Sequence, residues 1–302
     1  MSAIRSLSRP PAPDWLRQRI YAGDLLLVHG GPAVRAMIEY FGQVLRDAFA
    51  PHSPPQAQFA MDRAEWDELA KRLRATYKRD PQAWSLMREL LEQFGLEAAR
   101  TAADCVNLRV QPHAEEPTTD PQHTLGAHRD TWASNVYTQI NWWLPVFPIT
   151  PRRTICFLPY FWDQAVDNDS ASWDLEAVRA EVRAARAAGR EPAVRNTPEP
   201  VTPIDPNHAV AITVEPGDVL IFSGAHLHAS VPNDSGATRF SLELRSLDIS
   251  DTAADLGAPN VDGYAPHRAW HWFRRLDSGA RLSAADCTQM LPDTDDVGVQ
   301  TL

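Results

Sequence analysis

The chain has 302 residues, 44% hydrophobic and 23% charged, a globular composition that excludes a disordered or collagen-like protein and supplies a sizeable core. Lys and Arg total 29 against 39 Asp and Glu, and the net charge of -10 repels nucleic acid and anionic bilayers, so neither is an expected partner. Three cysteines make no disulfide framework, and neither a signal-peptide stretch nor a window near the roughly 20 apolar residues of a membrane span is seen, so a cytoplasmic protein is expected.

Between Pro32 and Ala50 the apolar residues Val34, Met37, Ile38, Phe41, Val44, Leu45 and Phe49 recur at helical spacing, and residues 61–77 and 84–94 follow the same period. Residues 1–100 are therefore expected to be mainly helical. After Arg100 the texture changes to short apolar or alternating runs cut by Gly, Pro and Asn: 105–110, 135–146, 154–158, 209–214, 218–222, 226–231 and 238–247. Strands at such close spacing, with no helix between most of them, predict an antiparallel barrel or sandwich with flanking helices over residues 101–250.

Residues 160–207 interrupt that core. They contain one amphipathic helix with Leu175, Val178, Val182 and Ala185 on a stripe, Gly189 as its stop and a Pro-rich return over 191–207, and are expected to form an insertion serving as a lid. Residues 251–302 read as a polar C-terminal extension with an apolar island at Trp270–Phe273. The whole is taken as a single catalytic domain.

The chemistry-bearing residues lie in the β region. His128 and Asp130, two apart at the start of an expected strand, project to one face and can meet on one ion. About a hundred residues later, Glu215–Asp218 predicts a tight turn, followed by a strand at 219–222 and a second strand carrying His226 and His228 on one face. Residues 233–236 then turn the chain into a strand on which Arg239 and Ser241 share a face, with Arg245 on the same side. Two histidines and a carboxylate form the facial set that leaves open positions on non-heme Fe(II) for a chelating co-substrate and dioxygen. Either His226 or His228 can complete it. Gln139 and Asn141 face one way on their strand, Ile140 and Trp142 the other, and the polar set is expected to line the cofactor pocket. Rival pairs are His113 with Glu115, in an acidic Pro-containing loop over 111–122 expected at the site mouth, and His267 with His271 at helical spacing, whose aromatic neighbours favour core packing or a pocket wall.

The ordered set His128-x-Asp130, Pro216-Gly217-Asp218, His228 with an arginine after ten intervening residues, and Arg239-x-Ser241 resembles the Fe(II)/2-oxoglutarate-dependent oxygenases, especially their bacterial phytanoyl-CoA-dioxygenase-like branch, over residues 104–248. The resemblance implies a mainly β fold with flanking α: a double-stranded β-helix (cupin-like jelly roll) core with N-terminal helices outside. It implies His128, Asp130 and His228 as iron ligands, Arg239 with Ser241 holding the distal carboxylate of 2-oxoglutarate, and O2 as the second co-substrate. The family spacing selects His228, since His226 leaves twelve residues before Arg239. The implied reaction is hydroxylation of an unactivated carbon of a small molecule, of the kind met in bacterial secondary metabolism. Related halogenases carry Gly or Ala in place of the carboxylate, so Asp130 implies hydroxyl rather than halide transfer. The only lysines are Lys71 and Lys78, which disfavours a JmjC-like protein hydroxylase that grips the co-substrate with lysine and leaves the role to Arg239 or Arg245. A non-catalytic cupin-like binding protein is the alternative from another class.

Overall fold

The computed structural model describes residues 3–115, 125–190 and 197–287. Its N-terminal part contains β1 (Ile4–Leu7), α1 (Pro13–Tyr21), β2 (Leu25–His29), α2 (Pro32–Phe49), α3 (Arg63–Thr76) and α4 (Pro81–Gln93). Sequence chemistry accounts for the helix starts: Pro32 and Pro81 occupy first-turn positions, and the Asp62 and Asp80 carboxylates accept from the first free N–H groups of α3 and α4. The expectation of a mainly helical first hundred residues misses β1 and β2. They are a parallel pair bridged by α1, and β2 joins the central sheet through β8. A run of only four apolar residues, Leu25–Val28, carries no period that separates strand from helix.

The remaining elements are β3 (Thr101–Ala103), β4 (Asn107–Gln111), α5 (Asp130–Ser134), β5 (Ile140–Pro145), β6 (Ile155–Phe157), α6 (Leu175–Ala187), β7 (Val210–Ile212), β8 (Asp218–Ser223), β9 (His228–Ser230), β10 (Arg239–Asp248), α7 (Ile249–Ala253) and β11 (Arg274–Arg275). Eight strands form one sheet in the order β1-β2-β8-β5-β10-β3-β11, with β4 also paired to β10, and β7-β6-β9 form a second. Apart from β1 with β2, the strand pairs are antiparallel. The expected β runs are all present with shifted ends. The exception is the start of the 135–146 run, where Asn135 takes a left-handed conformation (φ 50°) to close α5 before β5 begins.

Side-chain alternation divides the large sheet into two unlike faces. Ile140, Trp142 and Leu144 of β5, Val219 and Ile221 of β8, Phe240, Leu242 and Leu244 of β10 and Leu108 and Val110 of β4 pack in one cluster with Met37, Phe41, Leu45, Met87 and Leu90 of the helices. On the opposite face Trp143, Leu220 and Phe222 pack against Ile155, Phe157 and Ile212 of the small sheet. The layers thus run helices, large sheet, small sheet, and the polar inward residues of β4, β5 and β10 are trapped between the sheets.

Helix α6 occupies the expected insertion, and Gly189 follows it at φ +64°, a conformation glycine adopts without steric cost. The first part of the Pro-rich return, residues 191–196, most of the expected mouth loop over 111–122 and the end of the extension lie outside the described residues. The apolar island docks as its composition suggests: Phe273, Trp270 and Trp272 pack with Ala102, Val136, Leu247 and Ile249. Among the described residues no helix is long and apolar enough to cross a membrane.

Candidate metal centre

His128 and His228 face each other across an antiparallel bridge, each backbone N–H donating to the other's carbonyl at 3.0 Å. This one-residue pairing extends the small sheet beyond β9 and brings the rings to 4.4 Å between centroids. Both rings are anchored alike: His128 Nδ1 lies 2.8 Å from the Gly126 carbonyl and His228 Nδ1 lies 2.9 Å from the His226 carbonyl. A carbonyl only accepts, so each Nδ1 carries the proton and each Nε2 keeps its lone pair. Burial, aided by His128, pushes His228 down to about 4, which keeps it neutral and able to ligate at physiological pH.

Asp130 completes the cluster. One ligating atom from each of His128, Asp130 and His228 lies within 4.8 Å of the others, and among the described residues no other group of three or more His, Cys, Asp or Glu residues does so. The strand expected at 128–130 is corrected here. Arg129 is extended, but Asp130 is the first residue of the short helix α5. Convergence with His128 therefore comes from a strand-to-helix corner and not from alternation. Asp130 Oδ1 lies 3.4 Å from His128 Nε2. Its Oδ2 accepts from Asn141 Nδ2 at 2.7 Å and Gln139 Nε2 at 3.0 Å, with Arg245 Nε at 3.8 Å. Burial opposes ionisation of Asp130, but the Arg245 cation outweighs it and holds the carboxyl well below the usual carboxylate range.

The intervening Arg129 is an anchor. Buried with Asp262, it donates to Asp262 Oδ2 at 3.1 Å and to the carbonyls of Ala225, Phe161 and Gln164, while Trp132 Nε1 donates to Asp262 Oδ1 at 2.7 Å. The corner bearing Asp130 is thereby tied to the insertion and to the C-terminal segment.

A recess opens from the cluster, lined by His128, Asp130 and His228 and by Trp143, Ile155, Phe222, Arg109 and Glu243 among others. Arg239 lies against its wall, the guanidinium 5.7 Å from the Trp143 ring. It is buried and donates Nη1 to the Thr154 carbonyl at 2.7 Å, and no carboxylate among the described residues is within ion-pair distance of it. Burial lowers Arg239 to about 10, still a cation at neutral pH. Its Nε, Ser241 Oγ and Trp143 Nε1 are buried without a partner among the described residues. An unpaired cation whose own Nε is unanswered, together with the unanswered Ser241 hydroxyl and Trp143 N–H, fits a carboxylate, since each buried donor left without an acceptor costs about 1–3 kcal/mol. The two-histidine, one-carboxylate set and this anion seat together suit an iron-type divalent ion and a dicarboxylate chelating it.

The remaining candidates separate cleanly. His226 does not share a face with His228, because residues 223–226 form a turn closed by His226 N–H to the Ser223 carbonyl. Its Nε2 lies 3.0 Å from the Gly23 carbonyl and its ring 4.5 Å from Trp162; burial, then His228, pushes it down to about 3. Arg245 is engaged with Asp104 at 3.6 Å and with Asp130. His113 packs on Phe59 and accepts the Gly236 N–H. His267 is exposed, and Trp270–Trp272 form a single 3₁₀ turn, so His267 and His271 do not stack as an α-helical pair. Both line a separate recess beside Glu176.

Sequence reasoning passed over Arg109, Glu243 and Asp104. Arg109 and Glu243 pair at 2.9 Å across β4 and β10 on the recess wall. Asp104 fills a break between β3 and β4 and accepts the Arg245 backbone N–H at 2.8 Å. The alternation of β10 contained the signal for Glu243, on the same face as Arg239 and Ser241.

No family model matches this chain, and no curated protein matches it. Solved structures similar to it include EvdO2 from Micromonospora carbonacea var. aurantiaca, at 11% identity over 79% of this chain and 91% of that one with a TM-score of 0.45. The non-heme alpha-ketoglutarate-dependent epimerase SnoN from nogalamycin biosynthesis is 14% identical over 87% of this chain and 97% of its own, TM-score 0.40. AviO1 from Streptomyces viridochromogenes Tue57 is 14% identical over 82% and 97%, TM-score 0.37. EvdO2 has been solved with 2-oxoglutarate, and SnoN with Fe3+, alpha-ketoglutarate and nogalamycin RO.

Proposed function

We propose that this protein is an Fe(II)- and 2-oxoglutarate-dependent oxygenase that hydroxylates an unactivated carbon of a small molecule, built on a double-stranded β-helix. The observation that supports it best is the conjunction of His128, Asp130 and His228 converging on one point with a buried, unpaired Arg239 set against Trp143 of the recess wall and a buried Ser241 hydroxyl without a partner among the described residues on the same strand. When bound, Fe(II) supplies the chemistry by which O2 and 2-oxoglutarate oxidise a substrate C–H bond, the co-substrate leaving as succinate and CO2.

The chain's own residues hold, orient and shield. His128 and His228 present Nε2 atoms whose orientation is fixed by the Nδ1 contacts to the Gly126 and His226 carbonyls. Arg239 and Ser241 grip the distal carboxylate through charge-assisted hydrogen bonds, fixing the co-substrate in one orientation. Trp143, Ile155 and Phe222 line the recess with apolar surface and keep water from the reacting atoms. With Fe(II) bound, Asp130 would hold the place that a halide needs, so products from turnovers in abundant chloride are expected to carry oxygen or lose hydrogen and to contain no chlorine. Mass spectrometry reads that directly.

The test is anaerobic addition of Fe(II) and 2-oxoglutarate to the purified protein. A weak visible charge-transfer band is expected, followed on aeration by substrate-dependent succinate release in a metabolite screen. A colourless mixture without measurable iron affinity would assign the fold to a cupin-like binding protein instead.

A further inference from the structure

Gln139 and Asn141, expected to line the cofactor pocket, spend their amides on a carboxylate. Gln139 is fully buried and Asn141 nearly so. An ionised carboxylate offers only acceptors, so both side-chain nitrogens must face Asp130 Oδ2, and Asn141 Oδ1 then accepts from Gln139 Nε2 at 2.8 Å. This orientation leaves Gln139 Oε1 buried without a partner among the described residues, a cost accepted to keep both N–H donors on one oxygen. Gly224 makes the approach possible: a Cβ there would lie 2.7 Å from Gln139 Nε2 and 3.4 Å from Asp130 Cβ. Arg245 adds its charge to the same oxygen at 3.8 Å. The other oxygen, Oδ1, faces His128 Nε2.

We propose that Gln139 and Asn141, seated by Gly224, are positioning residues that make Asp130 a one-oxygen ligand: they saturate Oδ2 and present Oδ1 alone to the metal. A carboxylate free to turn can bind through one oxygen or through two, and the second oxygen fills a position that a chelating co-substrate and O2 both need. The inference rests on the metal-centre reading above, and the experiment separates the two.

Co(II) alone is the probe, read by titration and by the intensity and position of its visible absorption, which report coordination number. Asn141→Leu, Gln139→Leu and Gly224→Ala are each expected to weaken Co(II) binding about 10–100-fold and to change the spectrum, while the unfolding midpoint of the metal-free protein stays near wild type. Gln139→Asn, shorter but still a donor, should recover less than Asn141 and Gln139 together provide. Wild-type affinity and spectrum in all three variants would overturn the positioning role. Should Asp130→Ala bind Co(II) like the wild type, the metal-centre reading itself fails. A crystal structure of Co(II)-loaded wild-type protein decides the point without any variant: coordination through Oδ1 alone, with Oδ2 still on the two amides, supports the proposal, and coordination through both oxygens overturns it.

Discussion

The two faces of the large sheet are made by the same strands and do opposite work. On β10, Phe240, Leu242 and Leu244 enter the helix-side core, while Arg239, Ser241, Glu243 and Arg245 enter the space between the sheets. The first face is apolar and closely packed, so its contribution is stability. The second buries charge and hydroxyl groups at the expense of stability, and that expense is intelligible only if the face binds something. Alternation lets one strand serve both ends.

Loss of function without loss of fold should be most complete at the metal cluster: His128→Ala or His228→Ala is expected to abolish iron binding in isothermal titration, with the metal-free protein still folded by circular dichroism. His226→Ala should retain iron, and the reverse pattern would break the ligand assignment. Leu242→Ala, one residue along from Ser241, should do the opposite, lowering unfolding stability by about 2–5 kcal/mol in urea while leaving iron affinity intact. If Leu242→Ala alters iron affinity as strongly as a ligand change does, the two faces are not separable. Arg239→Ala removes a charge-assisted contact of about 1.5–3 kcal/mol, and should raise the 2-oxoglutarate concentration for half-saturation at least about tenfold with iron affinity unchanged. Arg245→Ala serves as the comparison, and a larger co-substrate effect there would move the anion seat.

A pH-dependent effect is expected at Asp104, whose carboxyl burial pushes up to about 7 against the opposing pull of Arg245. An unfolded-chain Asp titrates near 4, at about 3.9, so across the interval between the two values the folded protein keeps a proton that the unfolded chain releases. Its contribution to stability is therefore full at low pH and lost as pH rises through about 7. Asp104→Asn should flatten the decline in denaturation midpoint across that window while keeping the acceptor for the Arg245 N–H. An unchanged decline would assign it to other groups.

Much of this division was legible beforehand. The alternation of β10 and β5 and the turn at 215–218 follow from side-chain period and turn chemistry, which act locally, whereas His128, Asp130 and His228 are picked out by the family spacing. Where the reading went astray, a non-local contact decided the outcome. β2 is a strand because β8 lies beside it, and Asp130 sits on a helix because the corner is held by Arg129 and Asp262. His226 is turned away by the four-residue turn 223–226 and held by the Gly23 carbonyl, about two hundred residues earlier. The spacing of Gln139 and Asn141 showed that they share a face, but not that Asp130 would be waiting there.

Arg129 gives the centre an order of completion. During synthesis His128, Asp130, His228 and all of β10 leave the ribosome before Asp262, which lies 133 residues beyond its arginine partner. Until then Arg129 has carbonyl acceptors but no counter-charge, and a buried cation missing its anion is destabilised by about 3–5 kcal/mol. A nascent chain that has reached the end of β10 holds every candidate ligand, yet the corner that aims Asp130 is set only when the segment carrying Asp262 arrives.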